Sequence, residues 1–284
     1  MLGGLNNGGV FSHTTDQAAF IDRVDLSLWG NRRKRPSDVV AIGKPFPIGG
    51  EKSVYGRAVN GICGATGNPF QLKYGVMRYP RKVPPMRLTL RSERTPVSGA
   101  QAELVSNALM LRGFRSLVSR VEMTIDLTGT SVDFFKKHLQ TTARRFRTLR
   151  DTVGRKTYYV GAPGSHWQLK IYQKRPAVVR FEFTLRIAFL QKCGLRRPHE
   201  LVLLRNIDLT RLVWLQEVDQ SKLKVGDEGR LGNNQNRALR SWAQCLSTRQ
   251  FSKALKDWGI ARRDLLVPCA LEWKIRRLQR RLMW

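Results

Sequence analysis

The stretch Tyr158-Tyr-Val-Gly-Ala-Pro-Gly-Ser-His-Trp-Gln-Leu-Lys-Ile-Tyr-Gln-Lys174, followed shortly by Val179-Arg-Phe-Glu-Phe-Thr-Leu-Arg186, decides how this chain folds. On either side of a Gly-rich turn, apolar and polar residues alternate. Leu169 and Ile171 fall on one face, as do Phe181, Phe183 and Leu185. Gln168, Lys170 and Tyr172 fall on the other, with Arg180, Glu182, Thr184 and Arg186. A period of two marks strands with one buried and one exposed face. Upstream, Arg120-Val-Glu-Met-Thr-Ile-Asp126 repeats the pattern, with Val121, Met123 and Ile125 inward and Glu122, Thr124 and Asp126 outward.

Between the first strand and the turn, Val132, Phe135, Leu139, Phe146 and Leu149 recur at near-helical spacing. Ser131 suits an N-cap and Asp133 the first turn, so a helix is predicted across this segment. Helices on the apolar face of a sheet give α+β architecture with an open polar face.

The chain also repeats itself. Asp22-Arg-Val-Asp-Leu-Ser-Leu28 matches Ser119-Arg-Val-Glu-Met-Thr-Ile125 at an offset of 97 (119 − 22). Gly67-Asn-Pro-Phe-Gln-Leu-Lys73 matches Gly164-Ser-His-Trp-Gln-Leu-Lys170 at the same offset (164 − 67). Thr89-Leu-Arg91 matches Thr184-Leu-Arg186 at 95 (184 − 89). The expected fold is therefore a pair of internally duplicated antiparallel-sheet units with helices on one face. A degenerate unit occupies residues 1–115 and a catalytic-type unit residues 116–224.

In the first unit Pro36, Gly43, Pro45, Pro47, Gly49 and Gly50 argue against a helix at the equivalent place. Its Arg32-Arg-Lys-Arg35 run reads as a solvated loop that faces phosphate. Beyond residue 195 the pattern turns helical, with Leu201, Leu204, Leu212 and Leu215 as core candidates, and residues 225–236 read as a loop. Residues 237–284 form the expected basic helical region. There Leu271, Ile275, Leu278 and Leu282 make an apolar stripe, with Arg276, Arg277, Arg280 and Arg281 mostly outside it. Thr248 to Leu266 has some helix-turn-helix character around Gly259, although a plain helical hairpin accounts for it as well.

Lys and Arg number 51 against 21 Asp and Glu, a net charge of +30, which points to a polyanionic partner. Nucleic acid is the foremost candidate, because phosphate neutralisation supplies most sequence-independent affinity. An anionic membrane surface and an RNA-packaging role are the plainer alternatives. The N-terminus lacks the layout of a secretory signal, and no apolar run approaches the ~18 residues of a bilayer span. Cys63, Cys193, Cys245 and Cys269 form no close pair, so they read as reduced thiols of a cytoplasmic protein.

Carboxylates are scarce here, and their grouping is informative. Same-face residues lie ~7 Å apart along a strand and ~5 Å apart across strands, so Glu122, Asp126 and Glu182 can approach one divalent cation. Mg²⁺ or Mn²⁺ suits such oxygen ligands and takes substrate phosphate as another. Tyr172 could then attack a polarised phosphodiester, with Lys170, Lys174 or Arg180 offsetting the developing charge. The plain alternative is that these acids are only cross-strand partners of Arg and Lys. Under the offsets, Asp126 maps to Trp29, Tyr172 to Gly75 and Glu182 to Arg87, whereas Glu122 alone keeps an acidic counterpart, Asp25. That contrast fits one active unit beside one structural unit.

At these residues the chain resembles the replication initiation factor family (Rep_trans), the rolling-circle initiators of small plasmids and filamentous phages. The resemblance rests on Arg120-Val-Glu122 with Asp126, Tyr159-Val-Gly-Ala-Pro-Gly-Ser165, Lys170-Ile-Tyr-Gln-Lys174 and Arg180-Phe-Glu182, and covers roughly residues 115–190. The turn lacks the family's usual Ser and Arg, and Glu122 stands where aspartate is common. The resemblance implies a metal-dependent nicking-joining endonuclease that keeps a 5′-phosphotyrosine link while the free 3′ end primes replication. It implies Tyr172 as nucleophile with Lys170 and Arg180 beside it. Glu122, Asp126 and Glu182 become the Mg²⁺ or Mn²⁺ ligands. Arg120, Ser165, Lys174 and Arg186 are the implied DNA contacts, and Arg276, Arg277, Arg280 and Arg281, outside the C-terminal apolar stripe, read separately as phosphate contacts or as a solvated basic face. The partners it implies are origin DNA (a hairpin or single-stranded nick site), a host helicase and a second copy of the chain, with no membrane. A non-catalytic DNA-binding protein on the same scaffold, a phage repressor or degenerate initiator, is the other reading. His13, His138, His166 and His199 are scattered, which argues against the initiator class that holds metal with a His-x-His pair.

Overall fold

The computed structural model describes residues 18–30, 46–48, 53–63, 66–77, 83–93, 95–97, 100–102, 114–143, 145–150, 156–218, 266–268 and 270–281. Two long strands organise it: β1 (Ala18–Gly30) and β6 (Phe114–Thr128) run antiparallel side by side. Beyond β1 lie β5 (Met86–Arg91), β4 (Pro69–Val76), β3 (Tyr55–Ile62) and the short β2 (Phe46–Pro47). Beyond β6 lie β11 (Val178–Arg186), β10 (Trp167–Arg175), β9 (Lys156–Val160) and β8 (Phe146–Arg150). The ten strands form one antiparallel sheet, in the order β2-β3-β4-β5-β1-β6-β11-β10-β9-β8. Antiparallel pairs of this kind leave one face free to meet water, which suits strict alternation of apolar and polar residues.

The apolar face carries the core. Ile21, Leu26, Leu28, Leu90, Val121, Ile125, Leu169, Ile171 and Leu185 have no measurable exposure. α1 (Val132–His138) is capped by Ser131, whose hydroxyl accepts from the Phe134 amide at 3.1 Å. It sets the Phe135 ring edge-on against Phe181 at 4.4 Å. α2 (Ile187–Lys192) buries Leu190, and a 3₁₀ segment (Pro198–Asn206) buries Leu201 and Leu204. α3 (Ala270–Arg280) packs Ile275 and Leu278 on the same core, and its buried Gln279 donates to the Leu204 and Ile207 carbonyls.

The helix expected across residues 132–149 stops at His138. Leu139 is already extended and, with Gln140 and Thr141, forms β7 (Leu139–Thr141). β7 pairs with β12 (Val213–Val218), which also pairs with β13 (Leu266–Pro268). Phe146 and Leu149, predicted as helical core, sit exposed on the edge strand β8. Leu215 is buried as predicted, but in β12 rather than in a helix. For Leu139 and Leu215, backbone pairing with each other across 76 residues (215 − 139) outweighs the local helical period, whereas Phe146 and Leu149 pair with the neighbouring strand β9. Arg32 to Arg35, residues 225–236, Thr248 to Leu265 and Leu282 lie outside the described residues. No described helix is long and apolar enough to cross a membrane.

Candidate tyrosine site and nucleic-acid interface

Register brings the polar face together row by row. One row runs Leu149–Thr157–Tyr172–Arg180–Asp126 across β8, β9, β10, β11 and β6. The next runs Arg147–Tyr159–Lys170–Glu182–Thr124–Phe20 and crosses into β1. The third runs Gln168–Thr184–Glu122–Arg23–Arg91 and the fourth Arg186–Arg120–Asp25–Thr89–Gln71. Tyr172, Lys170, Arg180 and Glu182 are therefore immediate neighbours, as the alternation predicts.

Tyr172 is half-buried, and Arg180, directly opposite it in the register, and Glu182 both act on its hydroxyl. The Lys170 ammonium lies 4.2 Å from its ring centroid and 3.2 Å from the Glu182 carboxylate. Burial and the adjacent Glu182 push the phenol up to about 12. Burial alone takes Tyr158 equally high, but Tyr158 faces the core and has no such company.

Asp126 is the anchor of the first row. Its carboxylate accepts two hydrogen bonds from Arg180, at 2.7 and 2.9 Å, and one from Lys174 at 3.0 Å. Burial pushes Asp126 up, but the Arg180 and Lys174 contacts outweigh it and hold the carboxyl below its ordinary value. The same pair raises Arg180 against its own burial. Both side chains are about 10% exposed, which makes this a forked pair in low dielectric rather than a surface bridge. Asp126→Ala should cost about 3 kcal/mol, because it strands a half-buried guanidinium. Equilibrium urea unfolding of the variant tests this. The Asp126 contribution should be fully present above the unfolded-state pKa and vanish as pH falls through the depressed folded value.

Two other acids differ. Glu122 pairs with Arg120, and burial raises its pKa in spite of Arg120 and Arg23. Asp22, which the alternation left unassigned, sits at a β-bulge between Ile21 and Arg23. The extra residue there lets Ile21 and Val24 both reach the core and turns Asp22 toward Ser92, whose hydroxyl donates to it at 3.1 Å. Burial raises Asp22, and Arg180 and Glu182 both act on it electrostatically. The sequence held the clue: Ile21 and Val24 have opposite parity, so a regular strand cannot bury both.

The expected ion site is a different matter. Among the described residues, no three His, Cys, Asp or Glu side chains gather as a group that could hold a metal ion. Glu122, Asp126 and Glu182 each engage an arginine or lysine instead. The side chains as arranged do not fit a three-carboxylate centre.

The remaining predicted contacts divide. Lys174 and Arg186 lie on or beside the polar face, the first exposed on Asp126. Ser165 uses its hydroxyl on the Ala162 and Trp167 carbonyls and shapes the turn. Gly161 in that turn has φ +92°, and a Cβ there would stand 3.1 Å from the Trp167 carbonyl oxygen, so the close return of β10 needs glycine. His166 is exposed in the same turn. Arg276, Arg277, Arg280 and Arg281 are exposed on α3, which packs on the apolar layer, away from Tyr172.

No protein-family model and no curated protein matches the chain. Among solved structures, it is similar to a rolling circle replication initiator protein from Geobacillus stearothermophilus, at 11% identity. That alignment covers 85% of this chain and 96% of the other, with a TM-score of 0.46.

Proposed function

We propose that this chain is a rolling-circle replication initiator, a DNA nicking-joining endonuclease whose nucleophile is Tyr172. The observation that carries the reading is the local set around its hydroxyl. The phenol lies on an open, arginine-rich sheet face, beside Arg180 and Glu182 and overlain by Lys170. Each neighbour has a chemical part. Glu182 is placed to accept the phenolic proton as the oxygen attacks phosphorus. Arg180 and Lys170 sit where charge grows on the phosphoryl oxygens. The 3′ oxygen departs with its electron pair, and the 5′ phosphate stays on Tyr172. The linked phosphotyrosine conserves the bond for rejoining.

Mg²⁺ or Mn²⁺ dependence is a separate, testable part of this reading. Origin DNA, a host helicase and a second copy of the chain are proposed partners on the strength of the motif resemblance. The specific observation favouring the second reading, a DNA-binding protein without catalysis, is that Asp126, Glu122 and Glu182 are already neutralised by cations. Supercoiled DNA of the source replicon and a randomised single-strand pool, incubated with Mn²⁺ and with EDTA, separate the two. A covalent protein–DNA adduct that needs Mn²⁺ supports the nicking reading. Tight binding without adduct in either condition supports the binding-only protein.

A further inference from the structure

The third and fourth rows of the polar face are the same row met twice. Read from opposite edges, one gives Gln71–Thr89–Asp25–Arg120–Arg186 and the other Gln168–Thr184–Glu122–Arg23–Arg91. Position by position they differ only in Asp25 against Glu122. Equivalent residues are separated by 97 in β1, β4, β6 and β10, and by 95 in β5 and β11. The ion pairs repeat too: Arg23 bonds Asp25 at 2.7 Å, and Arg120 bonds Glu122. A local two-fold axis therefore stands perpendicular to the sheet between β1 and β6.

Across that axis lie two arginine couples. Arg120 faces Arg186 directly on β6 and β11, and Arg23 faces Arg91 on β1 and β5. Like charges directly opposite in a sheet repel. The acids form their ion pairs with the inner arginines, Asp25 with Arg23 and Glu122 with Arg120, and two acids among four arginines leave two positive charges in excess. Buried N–H groups mark the same place: Arg120 Nε and Arg186 Nη1 have no hydrogen-bond partner in the structure. Arg91 is exposed. Guanidinium pairs with spare N–H groups match phosphate oxygens better than any other common anion. Burial and Arg120 lower Arg186 below the usual arginine value, a cost that a bound anion would relieve.

We infer that these couples are two phosphate sites related by the local axis, and that they grip opposite strands of a duplex or hairpin stem. Two strand spacings across and two residues along place them roughly 12 Å apart, the scale of a nucleic-acid groove. Antiparallel strands carry a dyad across the groove, and protein two-fold symmetry meets nucleic-acid two-fold symmetry in this way. A single strand has no such dyad. The inference rests on nucleic acid as the partner of this face and not on the tyrosine chemistry. It gives the N-terminal unit, acid-poor at the positions of Tyr172 and Glu182, a task of its own in holding the second strand.

Fluorescence anisotropy with a hairpin of about one helical turn (~10 bp) and with a single-stranded oligothymidine, over a KCl series, tests it. Arg91→Gln and Arg186→Gln should each weaken hairpin binding roughly tenfold and lower the salt slope by about one. Their effects should be equal within error and should multiply in the double variant. Arg91→Lys and Arg186→Lys should restore most of the slope, which separates a lost phosphate contact from a damaged fold. An Arg91→Gln protein with unchanged hairpin affinity and slope would overturn the dyad, as would wild-type protein that prefers the single strand. If the hairpin results hold while no tyrosine adduct forms, the nicking chemistry alone falls. Wild-type protein that holds no DNA at low salt would sink both.

Discussion

Tyr172→Phe should abolish the covalent protein–DNA adduct, a loss beyond the ~10⁴-fold that a general base contributes. The substitution removes one oxygen and leaves the ring, so the Lys170 contact to its face survives. What disappears is the nucleophile, with its electrostatic coupling to Arg180 and Glu182. Hairpin binding should persist, because phosphate grip resides in the arginines and not in the phenol. The measurement is denaturing-gel capture of labelled oligonucleotide by wild type and variant at matched DNA occupancy. Adduct that survives in the phenylalanine protein would relocate the nucleophile. Tyr159 is then the next candidate, half-buried on β9 directly opposite Lys170 and with Arg147 4.9 Å from its ring. Tyr158 is excluded by its place in the core.

Alternation made most of the sheet readable before any coordinates. Each of Val121, Met123, Ile125, Leu169, Ile171, Phe181, Phe183 and Leu185 is buried, because a strand between water and a core has two faces and the residues declare which is which. Repeat spacing went further than expected. The matched segments occupy equivalent strands on the two sides of the β1–β6 seam, and their cross-strand partners are equivalent as well. What local pattern lacked was pairing over distance. Leu139 continues a helical period, yet its backbone pairs with Leu215 of β12, and sequence adjacency carries no sign of that partner.

The site was legible as a set of neighbours and not as a set of bonds. Period two places Glu122, Asp126 and Glu182 on one face but says nothing of which cation each will choose. In a face this rich in arginine and lysine, Glu122, Asp126 and Glu182 each take a cationic partner. A carboxylate-only reading therefore overestimates their convergence. Asp22 was hidden for another reason: a bulge inverts parity, and only the conflict between Ile21 and Val24 betrays it. The arginines of α3 were assigned by charge alone, and charge does not report which layer of the fold a helix covers.

Glu182→Gln tests the one proton transfer that the geometry proposes. Its carboxylate lies beside a phenol held up to about 12 by burial and by Glu182 itself. A group raised this far stays neutral through pH 10, so attack at pH 7 requires the proton to leave as the bond forms. With Glu182 present, the adduct rate should be nearly flat across neutral and mildly alkaline pH, since the base travels with the nucleophile. With glutamine, the rate at pH 7 should fall ~10²- to 10⁴-fold. The remaining reaction should run through the rare phenolate and climb about tenfold per pH unit, because burial still holds the pKa above the ordinary 10. Single-turnover adduct formation from pH 7 to 10 reads both effects. Parallel, flat profiles in the two proteins would remove Glu182 from the chemistry and leave it as a tether for Lys170, which it meets at 3.2 Å. A glutamine profile that rises while the wild type stays flat requires a carboxylate at the phenol, and Glu182 is the carboxylate that acts on it.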